Sequence, residues 1–312
     1  MLKYVVKRLL ITIPILLCVV FIVFSIMQLT PGSPAISILG PTAPQEQIDA
    51  LNHELGYDRP FFVRFFDFVI HAVQGDLGES YRSGQPVIKE IGVRFPTTLK
   101  LALLSMLISA TVGISLGVIS AVKQYSPLDT TLTILALAFA AVPGFWLGLM
   151  LIWIFAVTLQ LLPTSGAASW QSFILPLITL SVGGIASLLR ITRSAMLETI
   201  RQDYIRTARA KGASEKIVII RHALTNALLP VITVLGMNFS GMLGGAVITE
   251  TVFAMPGVGQ YIIEAIRQKD DQVVLAWTLL LATLNCLIML LVDIIYSFVD
   301  PRIKARFASK KR

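Results

Sequence analysis

Six stretches of this chain are long and apolar enough to cross a bilayer: Leu9–Leu29, Leu101–Val122, Thr131–Leu159, Phe173–Leu189, Leu228–Thr249 and Val273–Val299. About 20 apolar residues of helix cross ~30 Å of hydrocarbon. Lipid offers backbone N–H and C=O groups no partner, so each crossing must be helical. Hydrophobic residues make up 55% of the 312 positions and charged residues only 14%. The expected fold class is therefore an all-α integral membrane protein with six transmembrane helices. Lys3, Lys7 and Arg8 precede the first run as they would in a secretion signal. That run is longer than a signal core of ~7–15 residues and no A-x-A-like site follows it, so it reads as a retained first span.

The net charge of +8 is distributed by side. With the N-terminus taken as inside, 18 of the 26 basic residues fall on inner segments, and the outer segments hold 12 of the 18 acids. This is the positive-inside pattern, which predicts cytoplasmic N- and C-termini. It accounts for the basic excess with no nucleic-acid partner. Cys18 and Cys286 lie within apolar runs and read as small buried hydrophobes; His53, His71 and His222 are scattered. No metal site, cofactor or disulfide framework is expected.

Between the first two spans, residues 30–98 form a long extracytoplasmic segment. "TPGSP" (Thr30–Pro34) stops the first helix. A short helix is expected from Pro44 to Gly56. "RPFFVRFFDFVIHAV", apolar nearly all round, suits a helix at the membrane interface or packed on the bundle. "QGDLGESYRSGQPV" is turn chemistry. In the second span Ser105, Ser109, Gly113, Gly117 and Ala121 recur every four residues, a stripe that lets another backbone approach. That backbone belongs either to this chain or to a second membrane subunit. "VPG" (Val142–Gly144) breaks the third span, and Pro143 marks a kink that either serves packing or lines a cavity. In the fifth span Met237, Asn238, Ser240 and Gly241 are candidates for the translocation pathway. An intramembrane amide needs a partner or water, so pore lining and interhelical bonding both remain open. Asp293, near the inner end of the last span, reads equally as a local structural pair or an ion group.

No G-x-x-x-x-G-K-[ST] is present, so nucleotide binding through a P-loop is excluded, and no H-E-x-x-H or metal-spaced Cys/His set occurs. No histidine is placed at membrane depth to act as the base of an intramembrane hydrolase. A stand-alone secondary carrier or channel is the serious rival to a multi-subunit transporter. Against it stand the lack of a clear internal repeat and of mid-bilayer charges. Export by similar machinery is a third reading.

The basic loop separates these readings. In "DYIRTARAKGASEKIVIIRHALTN" (Asp203–Asn226), Asp203 can cap a helix that Gly212 ends in a left-handed conformation. Gln202, Arg206 and Arg209 share one face; Ile205, Ala208 and Gly212 share a small apolar one, suited to a partner's groove. A second helix should follow, joined to the fifth span at Asn226 and Pro230. An exposed short helix of this kind is a docking element.

The loop resembles the coupling segment of ABC importer permeases, with Ala208 and Gly212 in the positions of the E-A-A-x-x-x-G motif and Arg206 and Thr207 departing from it. "DYIRTARAKG…RHALTNALLPV" is similar to the form found in the dipeptide/oligopeptide/nickel (and glutathione) permease family. "LTPGSPA", "LGYDRPFFVRF", "GDLGESYRSGQPV", "GGAVITETVFAMPGVGQYIIEAI" and "DPRIK" also resemble that family, in order and over nearly the whole chain. "KDDQVV" stands where the family has "RDYPV".

The resemblance implies a type I ABC importer permease bundle. It implies residues 1–29 as N-terminus and first span, 30–98 as extracytoplasmic segment, 99–299 as a five-helix core with coupling loop 190–227, and 300–312 as a basic tail. It implies a second homologous permease subunit, two cytoplasmic ATP-binding subunits that carry the ATP hydrolysis, and an extracytoplasmic solute-binding protein. It places Asp203, Tyr204, Arg206, Thr207, Ala208, Arg209, Ala210 and Gly212 at the ATPase contact, with Arg206 and Arg209 bonding to it. It implies that segments 30–98 and 250–272 face the binding protein. Peptides, nickel chelates and glutathione are the substrate classes it admits, peptides first.

Overall fold

The structure is a computed structural model that describes residues 2–299. The "DPRIK" motif and the basic tail lie outside the described residues. Every regular element among these is helical. In chain order they are α1 (Leu2–Leu29), α2 (Pro34–Leu39), α3 (Gln45–Glu54), α4 (Phe61–Val73), α5 (Val87–Val122), α6 (Pro127–Ala141) and α7 (Gly144–Leu151). Then come α8 (Ile174–Ile200), α9 (Asp203–Ala210), α10 (Glu215–Ile217), α11 (Thr225–Val252), α12 (Val258–Arg267) and α13 (Asp271–Val299). Five helices are long and apolar enough to span a membrane, and α6 with α7 makes a sixth span if counted together. The chain divides into two compact units, one of residues up to Thr98 with Met255–Leu287, the other of Leu99–Ala254 with Ile288 onward.

In the first unit, α1 ends where Pro and Gly forbid its continuation, and Ser33 accepts a hydrogen bond from Ile36 N (3.3 Å) to start α2. The expected short helix is α3, followed by Gly56 at φ +65°. The aromatic-rich segment is α4. Phe61 and Phe65 meet Phe21 and Phe24 of α1 edge-to-face, with ring centroids 5.0–5.9 Å apart. Val20, Phe24, Phe65, Phe68 and Leu275 close that core. The turn sequence 74–86 is held by a backbone bridge between Glu79 and Pro86.

Three consecutive charges, Lys269, Asp270 and Asp271, are buried at the start of α13. Lys269 (φ +57°) donates to Met27 O (3.1 Å) and Thr30 O (2.5 Å), capping the last carbonyls of α1. Burial lowers its pKa. Asp270 accepts from Ser80 Oγ (2.5 Å) and Tyr81 N (3.3 Å). Burial raises its carboxyl above the usual range. Tyr261 of α12 hydrogen-bonds Glu90, and the Arg94 guanidinium lies 4.2 Å from the Tyr261 ring centroid.

In the second unit the four-residue stripe of α5 packs within this chain. Ser109 Oγ donates to Ser181 O (3.0 Å) and Ser181 Oγ to Ser105 O (3.2 Å), so α5 and α8 exchange bonds at two levels. A Cβ on Gly117 would stand 2.6 Å from Thr192 Cβ and 2.8 Å from Leu189 O; one on Gly113 would stand 2.8 Å from Leu188 Cβ. Close backbone approach is the function of these glycines. Gly117→Ala is expected to force the helices apart and cost about 1–3 kcal/mol. A thermal melt in detergent checks this against Gly92→Ala, whose added methyl meets nothing within 4 Å.

The third apolar run departs from the expected kinked helix. It is two helices, α6 and α7, bent by 99°. Val142 before Pro143 is extended (ψ 123°), because the proline ring bars the α conformation from the preceding residue. Pro143 then opens α7, which passes into wider π-helical turns over Ile152–Thr158. Gly148 brings α7 against α8 and α11: a Cβ there would lie 3.3 Å from Val252 and 3.5 Å from Thr179 side-chain carbons, and 3.2 Å from Phe253 just past α11.

The expected burial of both cysteines does not hold. Cys18 is exposed and Cys286 half-buried. In a lipid-facing helix apolarity is no guide to burial, because the outer face is as apolar as the inner.

Candidate functional site

The basic loop folds as a short helix, α9, seated on the end of the second unit. Ile205 is wholly buried, in a cluster with Ala121 of α5, Ala195 and Met196 of α8, and Val218, Ala223 and Ala227. Ala208 and Ala213 pack at its edge. Ile205 and Ala208 of the small apolar face are therefore spent on the chain's own helices, where the sequence led us to expect a partner's groove, and Gly212 stays exposed. Periodicity shows that a face is apolar; it does not say what covers it.

The face left open carries Asp203, Tyr204, Arg206, Thr207, Ala210 and Lys211, all exposed. Tyr204 is 45% exposed despite its size. Two details differ from expectation. Gln202 occupies the extended cap position, and Asp203 is the first helical residue, where its carboxylate faces the free N–H groups of the first turn. Arg209 makes a two-pronged bond to Glu215 (Nη2–Oε1 2.6 Å, Nε–Oε2 3.0 Å), so its guanidinium braces the turn after α9. Arg206 is held only loosely, 3.7 Å from Asp203 Oδ1, with its side chain 79% exposed. Gly212 has φ +79° and nothing within 4 Å of a would-be Cβ. Its need is conformational, not steric.

The second helix of the loop is not separate from the fifth span. α10 runs through π-helical turns at Val218–Leu224 directly into α11, and Asn226 and Pro230 lie inside the continuous helix. A widened turn upstream gives the chain room before a proline that has no N–H to contribute.

The fifth-span candidates fall on two sides of α11. Met237 (58% exposed) and Gly241 are open, and Ile248 continues that stripe at 56% exposed. Asn238 and Ser240 are turned partly inward, and Asn238 Nδ2 and Ser240 Oγ are buried with no hydrogen-bond partner. Pro143 sets the bend between α6 and α7.

Residues 113–305 match the family described as binding-protein-dependent transport system inner membrane component, and residues 1–102 match its N-terminal membrane component. The dipeptide transport system permease protein DppB of Alkalihalophilus pseudofirmus is 40% identical, covering 97% of this chain and 100% of that protein. The glutathione transport system permease protein GsiC of Salmonella choleraesuis is 41% identical, covering 97% and 99%. The chain belongs to this permease family. The permease is thus a multi-pass inner-membrane component of a binding-protein-dependent transport system, and the stand-alone carrier reading falls away.

Solved structures agree on the fold. The permease superposes on a chain of the inward-facing MetNI methionine ABC transporter with TM-score 0.54 and 21% identity, over 65% of this chain and 93% of that one. It superposes on an amino acid ABC transporter crystallised with histidines with TM-score 0.52 and 16% identity, over 67% and 94%.

One group in the permease escaped the sequence reading. Asp129, 3% exposed, accepts from Arg193 Nε (2.7 Å) and Nη2 (2.8 Å), from Ser120 Oγ (2.5 Å) and from Tyr125 N (3.0 Å). Its own N–H donates to Ser126 Oγ (3.2 Å). This knot ties the ends of α5, α6 and α8 together. "SPLD" does carry the signal of a capped start, with Ser126 at the cap and proline next. Nothing in the sequence joins it to an arginine 64 positions on.

Proposed function

We propose that this chain is one of two homologous membrane subunits of an ATP-driven importer for small peptides, with both termini in the cytoplasm. ATP is hydrolysed by two separate cytoplasmic subunits, and the chain itself carries no catalytic residue. A nickel or other metal chelate is the second substrate class of the family. The names of the relatives, for dipeptides and glutathione, favour peptides.

The observation that carries the reading is the seating of α9. It is fixed from below by Ile205, and it presents Tyr204, Arg206, Thr207 and Ala210 outward on a segment that no span requires. In our reading these residues, with Asp203, meet an ATPase subunit. Arg206 supplies the cationic contact, while Ala208, Arg209 and Gly212 hold the helix in its presented form. Segments 30–98 and 250–272 face the binding protein, residues 99–299 form the transporter core, and the open face of α11 at Met237 and Gly241 borders the pathway or the second subunit.

The test uses the complete transporter in proteoliposomes. Arg206→Glu with Gly212→Asp reverses one contact charge and places a side chain where φ is positive, a backbone strain of about 1–2 kcal/mol. Co-purification of the ATPase subunits should fall at least about tenfold, as expected for a lost charge-assisted bond, and peptide uptake should stop. Intact association and uptake would show that α9 is not the docking element.

A further inference from the structure

The first compact unit contains a polar cavity of about 250 Å³ that the transport reading does not use. Its walls come from α1, α3, α4, the turn at Asp76–Tyr81 and the start of α13. Two acceptor oxygens in that wall, Asp271 Oδ1 and Gln272 Oε1, are buried without a hydrogen-bond partner. Asp271 is only 3% exposed. A buried carboxylate oxygen with no donor is costly, so something with N–H or O–H groups belongs there.

The donors already present leave these two oxygens open: the Tyr57 hydroxyl bonds the Asp271 carboxylate and the Gln272 amide bonds Tyr81, yet Oδ1 and Oε1 keep no partner. Arg64 gives Nη1 to Gln28 Oε1 (2.8 Å) and Tyr57 O (3.2 Å), and its guanidinium stacks 4.0 Å from the Tyr57 ring centroid. Its Nη2 stands 3.6 Å from Asp271 Oδ2, too far for a good hydrogen bond. Tyr81, whose hydroxyl burial pushes up to about 12, stays neutral at any physiological pH and offers an aromatic wall. Among the cavity's charged side chains Arg59, Arg64, Asp67, Asp76 and Asp271, acids exceed bases by one. Asp67 is spent on Arg59 at 2.7 Å. A monocation with several N–H donors would satisfy both orphan oxygens and the charge.

We propose that this cavity binds a primary ammonium group, with Asp271 Oδ1 and Gln272 Oε1 as its acceptors. An ammonium offers three donors on a compact charge, whereas a quaternary amine offers none. Two sources share this chemistry: the α-ammonium of a soluble peptide, and an ethanolamine lipid headgroup. The second is suggested by an apolar groove of about 290 Å³ that also borders Phe68 and is lined by Leu16, Val20, Val69 and Leu279. The inference stands apart from the docking role of α9.

The full chain in nanodiscs made only of phosphatidylglycerol is titrated with radiolabelled methylammonium by equilibrium dialysis. Saturable binding near one per chain is expected, displaced by n-propylammonium and not by tetramethylammonium. Asp271→Asn should weaken it about tenfold or more, as for a lost charge-assisted bond, and Gln272→Leu about fivefold. Gln272 is half-buried, so its variant keeps the test alive if the aspartate variant fails to fold. In separate arms, glycylglycine amide or phosphatidylethanolamine added to the nanodiscs should compete, and the one that competes is the source. Failure of wild-type chain to bind methylammonium saturably, equal displacement by tetramethylammonium, or wild-type affinity in Gln272→Leu each overturns the proposal.

Discussion

Arg193→Met should cost about 3–5 kcal/mol of stability, because it leaves Asp129 charged and buried without its partner. Asp129 is 3% exposed, and two of its four accepted hydrogen bonds come from that guanidinium. Ser120 Oγ and Tyr125 N would remain, so the carboxylate keeps part of its shell. The loss should show as a lowered melting temperature in detergent. Asp129→Asn added to Arg193→Met should recover most of it, since a neutral amide costs less to bury than a lone charge. If the double variant were no better than the single, charge pairing would not be what holds these ends together. Transport should suffer beyond the stability loss, because Ser120 lies next to Ala121, which packs on Ile205 beneath α9.

Ile205→Asp should detach α9 while leaving the spans folded. The side chain is fully buried among alanines, Met196 and Val218. A carboxylate forced into that site costs several kcal/mol, more than a helix of eight residues can recover by its own hydrogen bonds. The helix should swing out and fray. Amide hydrogen exchange over 203–211 should rise sharply while exchange in α8 and α11 stays slow, and solute uptake by the complete transporter should drop at least about a hundredfold, as for a few kcal/mol of lost coupling. Exchange that rises everywhere would mean that Ile205 belongs to the fold of the whole unit. Ile205→Val, which keeps the apolar contact, should remain within about 1.5 kcal/mol of the parent.

These residues also show where a sequence can be read and where it cannot. The six apolar runs and the proline and glycine stops located the helices because those signals are local: the backbone of a span has no alternative to helix, and Pro cannot be accommodated in most helical positions. Gly212 was legible for the same reason, and its φ of +79° is the left-handed cap that was expected. Which face of α9 is covered was not legible. Ile205 and Ala208 fit a partner's groove or the chain's own helix ends equally well by pattern, and only the placement of Ala195, Met196 and Val218 decides. Arg209 was expected at the ATPase contact, and its bond to Glu215 at 2.6 Å, six positions on, was not legible in the pattern. The 99° bend between α6 and α7 was underread because a proline marks a break without stating its angle. Asp129 and Arg193 lie on different helices, and no period links them.

The first compact unit is discontinuous in the chain, and its fastening comes from the far end. Lys269 Nζ holds the carbonyls of Met27 and Thr30, and Asp270 holds the turn at Ser80. During synthesis the ribosome delivers α1 to α4 first and then all of residues 99–254 before these two side chains exist. At 5–20 residues per second that delay is on the order of ten to thirty seconds. For that interval the last carbonyls of α1 and the serine of the turn must rest on water or on an insertion factor. The N-terminal third of the protein is thus completed last, and a nascent chain cut short before residue 269 would expose an unlocked first helix to whatever surveys the membrane for unfinished proteins.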